Sequence, residues 1–566
     1  MGKFNLIDEP WVSVMTNDKG ETQEVSLAEI FQNAQQYKAL AGDSPTQDFA
    51  VLRVLLAILH TVFSRFDAEG NAYNYFEIDE QLRQITVIDE DDNDIEDYAD
   101  ALHDTWVELW EKKQCPSIVE EYLEQWHEHF YLFDDEYPFF QVTEKMMEPQ
   151  NINKVKPSSV SGKNINRLIS ESGNKIALFS PKYEARKKKN KELLTAPEIA
   201  RWLITFQGYS GLSDKVIFGD EKYKSSKGWL FDIGGTYLEG ENLYDTLLLN
   251  LVLIDSQEIQ LKKIQKPSWE YSDEELIKWY FSERKIDNIA ELYTNWSRAI
   301  YINPEIDVNK PFEFNIVKLP DIDHQNQFVE SMTTWRFNKS GENKNTYTPR
   351  KHQINQSMWR SFGLITLPHS DTEEQRRPGV MDWLDKIDKN IEEFEVKIQT
   401  VSMQDDGNAT SWVPVNEIND SLKINDLVLT DVAQAGWLPR INEVIETTKT
   451  VIGYTYRTFM EDIRDIRQLS SNHQFVSRSV EELYYAVDLP FRNWLSSLQP
   501  SDSKVEQIFK WHAILKKIVD HQAEKTLENA TYRDYVGIET DGEVENIITT
   551  YNRFKYYLNK RLEEGD

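Results

Sequence analysis

Few residues of this 566-residue chain have the type and spacing for chemistry. His127-Glu128-His129 places two imidazoles at i, i+2, which on a helix point to different faces and do not chelate together. His103-Asp104 is a dipeptide of the kind found in metal phosphohydrolases, whose sites also take distant His and Asp ligands; the acidic run beside it reads more simply as a solvated face. Cys115 precedes Pro116 with no base beside it in sequence, and a single cysteine builds neither an internal disulfide nor a Cys-rich zinc site. There is no P-loop and no GxGxxG signature; Gly162-Lys163 lacks the hydroxyl and the glycine spacing such a loop needs. Charge is the stronger signal. Asp89 to Asp104 holds nine acids and no Lys or Arg, whereas Lys182, Arg186, Lys187, Lys188, Lys189 and Lys191 face one acid, Glu184. A small basic island on an acidic body is suited to a phosphate backbone, with a solvated loop as the alternative.

The elements that must position these residues fall into two styles. Phe4 to Val14 reads as an apolar-rich strand, and Ser26 with Glu29 forms a capping box ahead of an amphipathic helix. Gln47 to Phe63 is a strong helix, with Leu52, Leu55, Leu56, Leu59 and Phe63 at helical spacing. Residues 98–130 read as a helical hairpin. Residues 144–235 carry Gly, Ser, Lys and Asn and few long elements, as functional loops do. An apolar helix is expected over Thr246 to Ile254, a strand at NWSRAIYI, a buried strand over Trp359 to Leu367 and a helix around Val380 to Phe394. From about Leu427 the period is helical, and runs near 432–452, 480–498, 505–527 and 544–562 predict an antiparallel four-helix bundle. The fold class expected is therefore α+β: a large mixed N-terminal domain with long functional loops over 1–426, then the bundle over 427–566.

Composition bounds the class. Hydrophobic residues are 40% and charged residues 28%, a globular mix, and the length favours two or three domains. Cysteine usage fits a reducing cytoplasm. The longest apolar run, Leu247 to Ile254, is broken by Asn250, so no membrane span is expected, and the Met1 to Asn5 opening lacks a signal-peptide core. The net charge of −33 argues against a free-standing nucleic-acid binder with a uniform surface.

Several segments together resemble one family. FNLIDEPW (4–11), VSLAEIF (25–31), VLRVLLAIL (51–59), FYLFDDEYPFFQV (130–142), LEGENLYDTLLLNLVL (238–253) and AGWLPRINEVIETTKTVIGYTYRTF (435–459) resemble, in order, the CasA large subunit of the type I-E CRISPR surveillance complex, Cascade. The resemblance implies a non-catalytic, cytoplasmic prokaryotic subunit without cofactor or metal. Its partners would be double-stranded target DNA, the other Cascade subunits with their guide RNA, and the helicase-nuclease. Guide pairing reads the target, while this subunit recognises the adjacent PAM, helps open the duplex, contacts the displaced strand and recruits the nuclease; a similar division of labour holds in another effector class.

Carried over by position, the resemblance makes Lys182, Arg186, Lys187, Lys188 and Lys189 a DNA-binding loop. It makes Gly208, Tyr209, Ser210 and Gly211, after Gln207, a glycine loop at the PAM minor groove. Gly407, Asn408 and Ala409 become a hairpin-tip wedge, with Asn408 where relatives carry an amide. Lys339 or Lys344 supplies a minor-groove lysine, and Arg457, Arg464 and Arg467, at i, i+7, i+10, guide the displaced strand. Glu461, Asp462 and Asp465 interleave with those arginines and suit a surface salt-bridge face equally well. Two other classes compete: a metal-dependent nuclease or phosphohydrolase using His103 and Asp104, and a purely structural scaffold.

Overall fold

The computed structural model describes residues 2–88, 92–161, 193–211, 214–225, 227–255, 259–282, 285–368, 374–387, 389, 391, 394–407, 414–470, 474–540 and 542–563. The chain forms two compact units. The first is Met1–Ile354, His369–Glu392 and Lys397–Ser421; the second is Asn355–Pro368, Glu393–Val396 and Leu422–Asp566.

The first unit is built around the helix Pro45–Phe63. Ser44 caps it by accepting from the Gln47 N–H, and Pro45 starts it with a preset φ. Its side chains are apolar nearly all round, the mark of a helix covered on every side. By length and composition it is apolar enough to cross a bilayer, which corrects the expectation drawn from the Leu247 to Ile254 run; 94% of that stretch is instead buried within the protein. Helices Ile118–Gln125, Ala196–Tyr209, Leu243–Leu249 and Ile289–Tyr293 pack against it. Arg53 in the helix and Arg65, two residues past its end, are buried as ion pairs with Glu330 and Glu270, at 2.8 and 2.9 Å.

Small antiparallel sheets surround this core. Gly234–Glu239 pairs with Glu395–Asp405, from Ser402↔Gly234 to Lys397↔Glu239, and Pro414–Asn425 flanks the other edge. Trp335–Phe337 is the centre strand between Tyr347–Pro349 and Gln375–Arg376. Arg298–Tyr301, Glu313–Lys318 and Ser158–Ser161 form a third sheet.

In the second unit, Trp437–Thr450 continues through a π-helical turn, Val451–Tyr456, into Arg457–Ile466. Phe475–Ser496, Lys504–Glu528 and Ile547–Glu563 follow. Arg561 lies over Tyr454 and Arg553 reaches Asp462, so the first and last of these runs are antiparallel. Phe459 stacks on Phe554 at 4.9 Å, and Trp494 lies 5.6 Å from Trp511, whose indole N–H donates to Thr448. The α+β class with a helical C-terminal region is borne out.

Several local expectations hold and several do not. Ser26 and Glu29 make the capping box reciprocally, at 3.2 and 2.9 Å. Trp359 to Leu367 is not a strand: it is a 3₁₀ turn, Met358–Ser361, then a helix, Phe362–Thr366, with Phe362, Ile365 and Thr366 buried at helical spacing. A short apolar run cannot be assigned by period alone. The helix expected over Thr246 to Ile254 starts earlier, at Leu243 behind its Asn242 cap, and stops at Asn250. The Asn250 amide turns back to bond Leu238 and Thr246. The helix expected to reach Phe394 ends at Ile387.

Candidate nucleic-acid interface

The glycine segment closes the helix Ala196–Tyr209, an element the composition of 144–235 concealed. A local signal was available: Thr195 and Glu198 form a capping box, with the Thr195 N–H donating to the Glu198 carboxylate at 2.7 Å. The segment is therefore not the open loop expected. Gly208 lies in the last helical turn, Tyr209 is 1% exposed and Ser210 is 5% exposed. Every hydrogen-bonding position of the Gln207 amide is used. Its oxygen accepts from the Ser297 and Arg298 N–H groups, and its nitrogen donates to the Arg298 and Phe140 carbonyls. Arg298 also holds Asp214 at 3.0 Å and the Gly211 carbonyl, so the segment's exit is pinned. Gly208 is needed for packing: a Cβ there would meet Leu230 Cδ1 at 2.8 Å, and one on Gly228 would lie 2.1 Å from the Gly208 carbonyl oxygen.

Leu230 belongs to a 3₁₀ turn, Trp229–Phe231, which is the meeting point of the site. The Trp229 indole N–H donates to Glu330 at 2.7 Å. The same carboxylate accepts both Arg53 Nη groups, at 2.9 and 2.8 Å, and the Met332 N–H at 2.9 Å. The Trp229 ring stacks flat on His324 at 3.9 Å. Just beyond the turn, Asp232 binds Lys227 at 2.6 Å and lies 3.8 Å from Lys351. Burial would raise the Asp232 carboxyl, yet the charges of His324, Lys227 and Lys351 leave it below its ordinary value. Lys351 also reaches Asp405 at 3.2 Å and covers the Phe231 ring at 4.4 Å. Burial pushes its ammonium pKa down, against those two carboxylates.

Asp405 ends the strand that leads to the wedge segment. Gly407 sits at φ +70°, and its N–H donates to Asp405 Oδ1 at 3.0 Å, an Asx turn that starts the tip. Asn408 and Ala409 lie outside the described residues. Lys351 follows the strand Tyr347–Pro349, whose hairpin turn carries Lys339 and Lys344. Lys339 pairs with Glu374, while Lys344 is exposed and pairs with no carboxylate among the described residues. Three segments read separately from the sequence thus meet around residues 229–232: the glycine segment through Leu230, the wedge stem through Asp405, and the lysine hairpin through Lys351. Trp229, Glu330 and Lys351 carried no signal in the sequence, because their partners are remote in the chain.

The remaining candidates do not join this cluster. Lys182, Arg186, Lys187, Lys188 and Lys189 lie outside the described residues. Arg457 pairs with Glu461 and Arg464 with Asp465, both at the surface. Arg467 makes two 2.9 Å bonds to the buried Asp534 carboxylate, a tertiary tie. These contacts favour the salt-bridge face over a row of free cations. His103 lies 3.9 Å from Asp104, and among the described residues no three His, Cys, Asp or Glu side chains converge to hold a metal. His127 bonds Asp8 and Asn5, while His129 stacks on Tyr137. Burial pushes the Cys115 thiol up to about 12, far from a nucleophile's range.

This architecture is that of solved CRISPR-associated proteins. The crystal structure of Thermobifida fusca Cse1 matches with a TM-score of 0.76 at 24% identity, covering 100% of this chain and 98% of that one. A chain of a CRISPR RNA-guided surveillance complex matches with a TM-score of 0.62 at 14% identity, covering 99% of this chain and 100% of that one. At such identities the likeness is one of fold. In sequence, the CRISPR-associated protein CasA/Cse1 of Thermus thermophilus is 27% identical over 255 residues, 44% of this chain and 40% of that relative. The chain thus spans about two fifths of the curated relative it matches. The family model of CRISPR-associated protein Cse1 matches residues 5–522, and the chain belongs to that family. The resemblance read from the sequence is borne out at that level.

Proposed function

We propose that this chain is the non-catalytic large subunit of a type I-E guide-RNA surveillance complex and the reader of the PAM in its double-stranded target. The observation that carries this reading is the convergence around residues 229–232: the glycine segment packs on Leu230, the lysine hairpin reaches Asp232 through Lys351, and the wedge stem joins through the Asp405–Lys351 pair, although the three lie far apart in the chain. Such a cluster suits a minor groove, where readout is sparse and depends on close approach of main chain and a few side chains. Lys344, exposed at the hairpin tip, is the better groove lysine, since Lys339 is taken up by Glu374. Asn408 acts as the wedge that helps part the duplex. The basic residues 182–189 hold DNA backbone without reading sequence. The other subunits carry the guide RNA, and the helicase-nuclease is recruited once the target is opened.

The test is gel-shift binding of the reconstituted complex to target duplexes with varied PAMs. Complex made with the wild-type chain, with Asn408→Asp and without the chain is compared. PAM preference is expected to vanish without the chain and weaken in the variant. Binding indifferent to the chain would leave the scaffold reading in its place.

A further inference from the structure

In a chain of net charge −33, one sheet face carries, among the described residues, two arginines and no acid. Arg336 stands opposite Thr348 on one neighbouring strand and Gln375 on the other, so these three share a face. Arg350 donates its N–H to the Thr334 carbonyl, which places it two residues from Thr348 on that same face and diagonal to Arg336. The opposite face is packed. Trp335 lies 5.2 Å from Phe328, Phe337 lies 5.2 Å from Tyr347, and Arg376 covers Phe328 at 4.4 Å. The arginine face is therefore the outward one. Arg336 is exposed, and Arg350 is half-buried with one donor on Gln375 at 2.8 Å. Among the described residues neither pairs with a carboxylate. The Arg350 guanidinium is depressed by burial and by the Arg336 charge beside it, the condition an anion would relieve.

Two neighbouring guanidiniums without a counter-ion match phosphate oxygens in geometry and charge. The hairpin says which phosphates. Arg336 stands opposite Thr348, four residues past Lys344, at most roughly 13 Å along the strand at about 3.3 Å per residue. A minor groove is about 7.5 Å deep, less than that span, so Lys344 at its floor leaves the arginine face outside the groove, facing the phosphates at its mouth. We propose that the Arg336–Arg350 face grips the phosphate backbone of duplex DNA beside the PAM and holds the hairpin tip in the groove. This rests on the PAM-reading assignment above.

The test uses the reconstituted guide complex with the full chain and target duplexes of several PAMs, titrated between 50 and 200 mM salt. Arg336→Ala, at an exposed position, is expected to weaken binding about fivefold at 0.15 M salt, by the same factor for every PAM, and to lower the log–log salt slope by about 0.9, the value of one phosphate contact. Thr348→Glu, which sets a carboxylate opposite Arg336, is expected to do the same or more, and Arg336→Lys to restore the slope. Unchanged affinity and slope in both Arg336→Ala and Thr348→Glu would overturn the proposal. So would a changed PAM ratio at constant slope, which would make Arg336 a base reader. If the wild-type complex shows no PAM preference while Arg336→Ala still lowers the slope, the reader assignment fails and the phosphate grip stands.

Discussion

Replacing Glu330 by Gln removes the charge on which the candidate interface is hung. The Arg53 and Glu330 side chains are 2% and 0% exposed, so neither partner reaches water. Arg53 stays protonated, and it already lies 3.9 Å over the Tyr293 ring with no other carboxylate within ion-pair distance among the described residues. Glu330→Gln leaves that cation buried and uncompensated and turns an amide NH₂ toward two of three groups that must donate: the Arg53 guanidinium, the Trp229 indole and the Met332 N–H. Breaking such a pair costs about 3–5 kcal/mol, whereas replacing both partners by apolar groups of similar volume is often neutral. The expected result is a loss of about 3–5 kcal/mol in the urea transition of the first unit, followed by tryptophan fluorescence. Arg53→Met with Glu330→Met should recover most of it. Because the amide NH₂ of Gln must face an Arg53 Nη together with either the Trp229 indole or the Met332 N–H, DNA affinity of the complex should fall with Glu330→Gln; it should return only in part in the double variant, where Trp229 has no acceptor at position 330. A Glu330→Gln protein within about 0.5 kcal/mol of wild type, the range of an ordinary surface substitution, would refute the reasoning, since the carboxylate would then be carrying no buried charge.

Two further substitutions compare a backbone clash with a side-chain clash. Gly228→Ala drives a Cβ to 2.1 Å from a main-chain oxygen, Gly208→Ala only to 2.8 Å from a movable Leu230 methyl. Overpacking costs about 1–3 kcal/mol, so Gly228→Ala should lie at or above the top of that range and Gly208→Ala near the bottom; equal falls in melting temperature would contradict this. In the second unit, burial alone would raise the Asp534 carboxyl, but the Arg467 and Thr531 bonds hold it below the usual carboxylate range. A lowered folded value means its stabilisation is fully present above the unfolded pKa of about 3.9 and lost as pH falls through the folded value. Wild-type protein should therefore lose stability below about pH 4 more steeply than Arg467→Ala, and parallel acid titrations of melting temperature would sink the assignment.

Legibility followed the range of the interactions. The helix Pro45–Phe63 and the Ser26 capping box are local, and their residues announce them. The ligand of Arg53 is not local: Glu330 lies 277 positions away, and nothing beside either residue points to the other. The same holds for Arg467, whose place in a row of arginines suggested a nucleic-acid surface while its partner Asp534 lay 67 residues on. The glycine segment failed differently. Gly208 is expected to let main chain approach a groove floor, but its missing Cβ makes room for Leu230, and that of Gly228 for the Gly208 carbonyl, at the end of a helix that Thr195 and Glu198 announce. A glycine signals close approach; which neighbour approaches, whether ligand or protein, is decided by the tertiary fold.

The acidity of the chain becomes informative once its cations are sorted by partner. Lys224 is paired with Asp321, Lys339 with Glu374, Arg457 with Glu461 and Arg478 with Glu482. A phosphate could take any of these only by displacing a carboxylate that stays nearby and repels it. Each such pair is worth at most about 1 kcal/mol, but the residual repulsion remains after it opens. At physiological salt that repulsion is screened beyond about 8 Å, so an acid far from a contact has little effect and an acid beside it has much. The cations that can meet DNA are then those with no acid alongside. Among the described residues around the candidate interface, Arg336, Lys344 and Arg350 make no ion pair with a carboxylate, and they lie on one hairpin; Arg336 and Arg350 also share a face on which no described residue is acidic. A strongly acidic protein can therefore hold a duplex at one place and repel it elsewhere, so its charge helps to fix the register of binding.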